Sequence, residues 1–143
     1  MQAIEDRVIQ PGDVVVARNQ GLKGGPAMGG GASLILFALD AAGLAKTTAF
    51  VTDGQLSGLC LKGLTVAEVH PEAATGGPIG KIRDGDTITI SVANRSIDVN
   101  VPADELARRN GPGWKTPATG YLNTFRHDVR DMSTGGVLLP ARE

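Results

Sequence analysis

The segment "VVVARNQGLKGGPAMGGGASLILFALDAAGLAKTTAFVTD", residues 14–53, decides the fold. It begins with Val14–Ala17, a continuous apolar run that is typical of a strand covered on both faces. Residues 19–31 contain too many glycines for a regular element and predict a long loop. A second β-rich apolar run covers residues 47–53. With a helix between the two runs, this order predicts a βαβ unit whose loops after both strands lie at the same edge of a parallel sheet.

The helix of this unit is predicted over residues 32–43, "ASLILFALDAAG", with Ser33 as its N-cap and Gly43 as its stop. The preceding loop brings many backbone N–H groups to the start of the helix, an arrangement that attracts phosphates and carboxylates. It matches neither the Walker A motif nor the GxGxxG fingerprint. Anion binding and a tight structural loop therefore remain open alternatives for residues 19–31.

The rest of the chain predicts a smaller β part and two short helices, within one domain that spans residues 1–143. Alternating apolar and polar residues predict an antiparallel pair over 86–92 and 96–101. The further predicted elements are a short apolar run, a turn-rich segment and two helices, at 65–70, 71–80, 102–109 and 121–132. Residues 1–8 and 133–143 are expected to be loose ends.

Composition excludes several classes of function. Lys and Arg total 14 against 15 Asp and Glu, without a basic run, so the chain lacks the charge of a nucleic-acid binder. The strongest apolar run is too short for a membrane span and contains Asp40. The single cysteine, Cys60, excludes an internal disulfide and a self-contained iron–sulfur cluster, and we expect a buried, inert thiol in a cytoplasmic protein.

The stretch "VTDGQLSG", residues 51–58, leads an apolar run into a polar turn with one hydroxyl, Ser57. Its G-x-x-S-G setting differs from the G-x-S-x-G elbow of acyl-transfer enzymes. His70 and His127 have no acidic partner at a known triad spacing, so each is interpreted as a surface or core residue. Asp53 is either a metal ligand, an orienting residue or an ordinary turn residue before glycine. The motif "RDGD" at 83–86 lacks the loop of an EF-hand and predicts a hairpin turn.

Five motifs occur in the order, and at similar spacing, that one enzyme family shows. They are "PGDVVV", "GLKGGPAM", "VTDGQLSG", "HPEAATGGPIGKIRDGDTITI" and "ELARR", with a weaker similarity in "GYLNTFRHDVRDMSTGGVL". Over about residues 9–109 the series resembles the C-terminal domain of the dihydroxy-acid dehydratase and phosphogluconate dehydratase family, which includes sugar-acid dehydratases. Each motif alone is weak, whereas the ordered series is specific.

The resemblance implies a mixed α/β fold, a swivelling β/β/α domain with a barrel-like mixed sheet flanked by helices, as in the small domain of aconitase-type enzymes. It implies a hydro-lyase that converts a 2,3-dihydroxy acid or sugar acid to a 2-keto acid. In such enzymes a base removes the C2 proton, an iron–sulfur cluster acts as a Lewis acid on the C3 hydroxyl, and magnesium holds the carboxylate end of the substrate. Ser57 matches the family's serine base, which needs nearby cationic charge to stabilise its alkoxide.

The resemblance also assigns the loops 20–28 and 52–58 to the substrate side of the site. The implied substrate-binding residues are Gly24, Gly25, Pro26, Met28, Thr52, Asp53, Gly54 and Gln55. Gln20 stands where the family has a glutamate that binds metal, and a neutral amide is a poorer magnesium ligand than a carboxylate. Gln55 and Leu56 replace a common Arg-Phe pair. These departures favour a sugar-acid dehydratase or another divergent member.

The cluster cysteines and most metal ligands of the family lie in a larger N-terminal domain. We therefore expect this chain to bind no cofactor and to be inactive alone, and the N-terminal domain, in the same chain or a separate subunit, to supply the iron–sulfur cluster and magnesium. The complete enzyme is expected to be a homo-oligomer that acts on a small hydroxy acid. The alternative hypothesis is a stand-alone binding or interaction module, or a small subunit, that keeps the fold without catalysis.

Overall fold

The computed structural model describes residues 2–25, 30–60, 62–111 and 119–138. Within these ranges the chain forms α-helices, two small β-sheets and short 3-10 helices. The α-helices are α1 (Gln2–Glu5), α2 (Gly30–Ala41), α3 (Ala103–Arg108) and α4 (Tyr121–Asp128). The strands are β1 (Val14–Ala17), β2 (Ala49–Thr52), β3 (Leu64–Val66), β4 (Ile88–Ser91) and β5 (Ser96–Val99). The 3-10 helices are Ala73–Thr75, Pro78–Lys81 and Met132–Thr134. The predicted mixed α/β class is confirmed.

β2 is the central strand of a parallel sheet with the order β1-β2-β3. Val14 pairs with Ala49, which pairs in turn with Leu64. Every residue of β2 is buried, as expected for a β-branched and aromatic strand inside a parallel sheet. The parallel pairing of β1 and β2 confirms the predicted βαβ arrangement. The expectation that β1 is covered on both faces is wrong, because β1 is an edge strand whose residues are only half-buried.

α2 packs its apolar face on this sheet. Leu36 and Leu39 form the main core with Ala32, Phe50 and Cys60, all of which are buried. The predicted burial of the cysteine is therefore confirmed. No helix of the described ranges combines the length and apolarity that a membrane crossing requires.

The first turn of α2 differs from the prediction. The helix begins at Gly30, two residues before the predicted start, and ends at Ala41. Ser33 is therefore not the N-cap but a buried residue inside the helix. Its Oγ accepts a hydrogen bond from the backbone N–H of Ser57 at 3.3 Å. The helix thus contacts the turn that carries the candidate catalytic serine.

β4 and β5 form the predicted antiparallel hairpin, with Ile88 opposite Val99. No residue of these two strands is buried. The hairpin is joined to α3 by Arg109, whose guanidinium binds both carboxylate oxygens of Asp86, at 2.5 and 3.1 Å, and Glu105 at 2.7 Å. The motif at 83–86 is a tight turn that leads into β4, not the turn between the two strands.

The two sheets are separate in the described part of the chain, so no closed barrel is present there. Arg18, just after β1, bridges them by donating to the backbone carbonyl of Ile82 at 2.6 Å. Periodicity predicts each sheet by itself but not the way in which the sheets meet. The closure implied by the resemblance is therefore not seen among these residues.

Residues 125–132 pack on the loop that follows β1. α4 ends at Asp128, earlier than the predicted 132, and the buried Val129 instead forms a bridge with Leu138. Val129 packs against Leu22 in a small second core. The Nζ of Lys23 donates to the carbonyl of Arg126, in the last turn of α4, at 2.8 Å. The loop after β1 is therefore held from the C-terminal side.

Candidate functional site

The loops that follow β1 and β2 meet through the carboxylate of Asp53. Its Oδ1 accepts the N–H of Gln20 at 2.9 Å, and its Oδ2 accepts the N–H of Asn19 at 3.1 Å and of Ala73 at 2.9 Å. Asp53 is only 2% exposed. Both oxygens are thus occupied by backbone groups from two different segments, which places the chain after β1 directly beside the end of β2.

A second buried carboxylate, Glu72, holds the next part of the same loop. Its Oε1 accepts the N–H of Lys23 at 2.7 Å, and its Oε2 accepts the N–H of Gly24 at 3.2 Å. The side chain lies so close to Gly21 that a β-carbon there would overlap Oε2. Burial raises the pKa of Glu72 above its usual value, although the two N–H donors oppose that shift. The loop therefore wraps around this carboxylate, and glycine at position 21 allows the close approach.

These contacts decide between the two interpretations of the glycine-rich loop, for its described part. Four N–H groups that would bind an external anion, those of Asn19, Gln20, Lys23 and Gly24, already donate to carboxylates of the protein. The N–H of Gly25 donates to the carbonyl of Gly21 at 2.8 Å. Residues 19–25 therefore form a tight structural loop, and phosphate binding by these groups is excluded while the contacts persist.

Gln20 lies between the turn after β2 and the first turn of α2. A β-carbon on Gly54 would come within 2.6 Å of Gln20 Cβ, and one on Gly31 would come within 2.8 Å of Gln20 Oε1. The amide oxygen of this half-buried side chain thus rests against the start of α2. The residue predicted as a doubtful metal ligand is therefore placed beside the same helical turn that contacts Ser57.

Ser57 is exposed at the edge of the parallel sheet to which β2 delivers the chain. Its backbone N–H is fixed by Ser33 of α2, and its Oγ accepts the N–H of Leu59 at 3.3 Å. Three residues after Ser57, the N–H of Cys60 donates to the carbonyl of Ser57 at 2.9 Å, and Cys60 is anchored in the core. The hydroxyl is accessible to a substrate, whereas the backbone that carries it is held firmly.

The other implied substrate-binding residues fall into an exposed and a buried group. Gln55 is exposed beside Ser57. Thr52 is fully buried, and its Oγ1 accepts the N–H of Gly54 at 3.0 Å. The remaining members that are buried or half-buried are Gly24, Gly25, Asp53 and Gly54. Pro26 and Met28 lie outside the described residues.

The residues present do not build a site for either implied cofactor. Cys60 is the only cysteine of the sequence and is buried in the core, whereas an iron–sulfur cluster requires several thiolates. In the described ranges no three His, Cys, Asp or Glu side chains are grouped to hold a metal ion. The carboxylate oxygens of Asp53 and Glu72 already accept hydrogen bonds from backbone N–H groups, and Gln20 offers only a neutral amide. These residues therefore do not fit a complete cluster or magnesium site.

Of the cavities that adjoin the described residues, two lie against Asp53 and against β1. Asp53, Glu72, Asp131 and His70 line a cavity of about 10 Å³, which is too small for a hydroxy acid. Hydrogen bonds from the hydroxyl and the backbone of Ser133 hold the pKa of Asp131 below its usual value. A groove of about 610 Å³ runs between β1 and residues 82–88, but none of the predicted site residues lines it. The candidate site is therefore the exposed surface at Ser57 and Gln55 rather than either cavity.

Sequence reasoning did not identify two residues that hold the site in place, Glu72 and Ser33. Glu72 lies in the quoted motif "HPEAATGGPIG", but its partners are in a loop 49 positions earlier. The local signal is an acidic residue among prolines, alanines and glycines, with no lysine or arginine nearby in the sequence to pair with it. For Ser33 the sequence predicts only the role of a helix cap. Its contact with Ser57 depends on how α2 packs, which no local pattern specifies.

The sequence of this chain matches a protein-family model. Residues 1–136 of the 143 match the model described as "Dihydroxy-acid/6-phosphogluconate dehydratase C-terminal". The match includes the loop after β1, which two carboxylates hold, and the Ser57 turn. It confirms the family that the ordered motifs predicted, and places the chain in a hydro-lyase context. The chain belongs to the dihydroxy-acid/6-phosphogluconate dehydratase family, as its C-terminal domain.

Proposed function

We propose that this domain forms the C-terminal part of a dehydratase that converts a 2,3-dihydroxy acid or a sugar acid to a 2-keto acid. The supporting observation is the exposed Ser57 hydroxyl on a turn fixed by α2 and the core, in a chain of the dehydratase family. The departures at Gln20 and Gln55 favour a sugar acid as the substrate.

The reaction needs one proton acceptor and one departing hydroxyl. Removal of the C2 proton and loss of the C3 hydroxyl, which leaves as water once protonated, give an enol. The enol then tautomerises to the 2-keto acid, so the products are the keto acid and one water. In the proposal Ser57 accepts the C2 proton as its alkoxide, and Gln55 and the loop after β1 face the bound acid.

A serine alkoxide requires more stabilisation than this chain provides. The hydroxyl of Ser57 has one hydrogen-bond donor among the described residues, the N–H of Leu59. A single amide donor does not lower the pKa of an alcohol to a useful range, so cationic charge must come from elsewhere. In the proposal the N-terminal domain supplies that charge, together with the iron–sulfur cluster and magnesium for which the residues here build no site. The isolated chain is then inactive.

The experiment is a reconstitution. The domain is produced together with the N-terminal dehydratase domain of its enzyme, in one chain or as two, and 2-keto acid formation is measured with a panel of 2,3-dihydroxy acids and sugar acids. Ser57→Ala is compared with Ser96→Ala, which removes an exposed hydroxyl from β5. We expect turnover with at least one acid, loss of at least about a thousandfold in kcat for Ser57→Ala, and no change for Ser96→Ala.

Two outcomes of this experiment would contradict the proposed function. Turnover by Ser57→Ala at a rate near that of the unaltered enzyme removes Ser57 from the role of base. Absence of turnover with every acid favours the alternative of a binding or interaction module. Far-UV circular dichroism of each variant shows whether a lost activity reflects lost folding.

A further inference from the structure

We propose that Asp53 and Glu72 are positioning residues, which together shape the loop after β1 for the substrate. This inference rests on the proposed function, because it assigns a catalytic purpose to the loop. Neither residue is proposed to touch the reacting atoms. Their task is to hold the backbone of residues 19–25 at a fixed distance from the Ser57 turn.

The geometry shows how completely the two carboxylates hold the loop. Together they accept five backbone N–H groups, four of them from the loop and one from the segment that carries Glu72 itself. Asp53 is 2% exposed and Glu72 is 7% exposed, so water competes little for these bonds. The loop has no regular hydrogen-bond pattern of its own, and the carboxylates take the place of that pattern.

The chemistry of the pair indicates a purpose beyond general stability. A buried carboxylate is costly unless it is paired, and neither Asp53 nor Glu72 forms a salt bridge within the described ranges. The ammonium group of the nearby Lys23 instead donates a hydrogen bond to the carbonyl of Arg126. An apolar side chain would fill the same space at a lower cost but could not accept N–H groups. What the two carboxylates provide is therefore a defined loop geometry.

This geometry couples the two halves of the candidate site. Asp53 lies four residues before Ser57 and accepts the N–H of Gln20. The side chain of Gln20 reaches the first turn of α2, which in turn fixes the N–H of Ser57. Release of the loop would therefore displace Gln20 and the residues after it relative to the serine, without removing any group that acts on the substrate.

The first test uses the 143-residue chain and needs no activity. Amide hydrogen exchange is followed by NMR in Glu72→Gln, Glu72→Ala and Asp53→Asn, with the exposed carboxylates Glu5→Gln and Asp98→Asn as controls. A hydrogen bond to a charged group is worth enough to slow exchange roughly tenfold to hundredfold. We expect the amides of Lys23 and Gly24 to lose protection by that factor in Glu72→Ala, with β2 unchanged.

The conservative variant sharpens this test. Glutamine keeps one acceptor oxygen but turns an NH₂ group toward the second N–H, so Glu72→Gln should release only one of the two amides. Asparagine at position 53 should likewise release some but not all of its three donors. Unchanged exchange at Lys23 and Gly24 in the folded variants would overturn the proposal. Because glutamine matches glutamate in size, Glu72→Gln remains informative if Glu72→Ala does not fold.

The second test uses the complete enzyme. A purely structural role would lower the fraction of folded enzyme, and with it kcat, at constant KM. A positioning role raises KM for the hydroxy acid in molecules that are fully folded, and we expect a rise of roughly tenfold in Glu72→Ala and a smaller one in Glu72→Gln. A KM equal to that of the unaltered enzyme overturns the positioning role. If the unaltered enzyme dehydrates no acid, the proposed function and the catalytic role both fail, and the exchange experiment alone decides whether the carboxylates hold the loop.

Discussion

Substitution of single leucines by alanine tests which face of α2 packs on the sheet beneath the site. Leu36 and Leu34 lie two positions apart on α2, and they differ in environment: Leu36 is 2% exposed, whereas Leu34 is 63% exposed. Substitution of each by alanine removes the same atoms from the same helix. The pair therefore isolates the effect of burial from that of helix propensity.

The expected magnitudes follow from this difference. Full burial of the three carbons lost from leucine is worth about 2.4 kcal/mol, and the cavity left between α2 and β2 raises the cost of Leu36→Ala to about 3 to 4 kcal/mol. Leu34 has only about a third of its side chain buried, so Leu34→Ala should cost less than about 1 kcal/mol. For a chain of this length 1 kcal/mol corresponds to about 3 °C in Tm.

The assay is thermal unfolding followed by circular dichroism, with urea denaturation as a second measure. We expect Leu36→Ala to lower Tm by about 10 °C and Leu34→Ala by about 3 °C or less. A cost for Leu34→Ala equal to or above that of Leu36→Ala would show that α2 presents a different face to the sheet. The contact of Ser33 with Ser57 would then be wrong as well.

Three further predictions concern charge and close packing. A hydrogen bond from Arg109 holds the pKa of Asp86 below its usual 3.8, so the pair contributes its full stability above that value and loses it as pH falls through the lowered pKa. In denaturation experiments at neutral pH, Asp86→Asn should be less stable than the unaltered chain. A difference in stability that persists in acid would contradict the ion pair. NMR titration should place the carboxyl pKa of Glu72 above 4.5 and that of Asp131 below 3.8, and the reverse order would contradict their environments. Gly21→Ala introduces a β-carbon that overlaps Glu72, so it should lower the free energy of unfolding by roughly 1 to 3 kcal/mol. Glu72→Ala in the same chain should restore part of that loss. If the effects of the two substitutions simply add, the two residues are not in contact.

The parts of the fold that the sequence predicts correctly are those that depend on local sequence patterns. The apolar runs on either side of the glycine-rich loop indicated the parallel pairing of β1 and β2, and alternation indicated the β4–β5 hairpin. The position of Ser57 at the sheet edge followed from the same reasoning. Each of these features depends on residues that are close in sequence or on a general rule of chain connection.

The parts that were missed depend on contacts between distant segments. α2 includes Gly30 and Gly31 despite the low helix propensity of glycine, and Ser33 contacts the Ser57 turn, which is 24 positions later in the chain. The sequence left anion binding and a tight structural loop as alternatives for this loop, and the structure decides between them because Asp53 and Glu72 already accept four of its N–H groups. Which carboxylate reaches which amide is a property of the folded chain alone.

The β4–β5 hairpin has no buried residue, and this determines where the domain is vulnerable. Arg18 and Arg109 tether it through hydrogen bonds to Ile82 and Asp86, and an isolated two-stranded ribbon is only marginally stable in water. The ribbon can therefore detach while the core of α2 and β2 stays closed, as a unit that opens below the global unfolding free energy. Among the described residues, a protease should therefore cut within 88–99 before it cuts within β2 or residues 30–41 of α2.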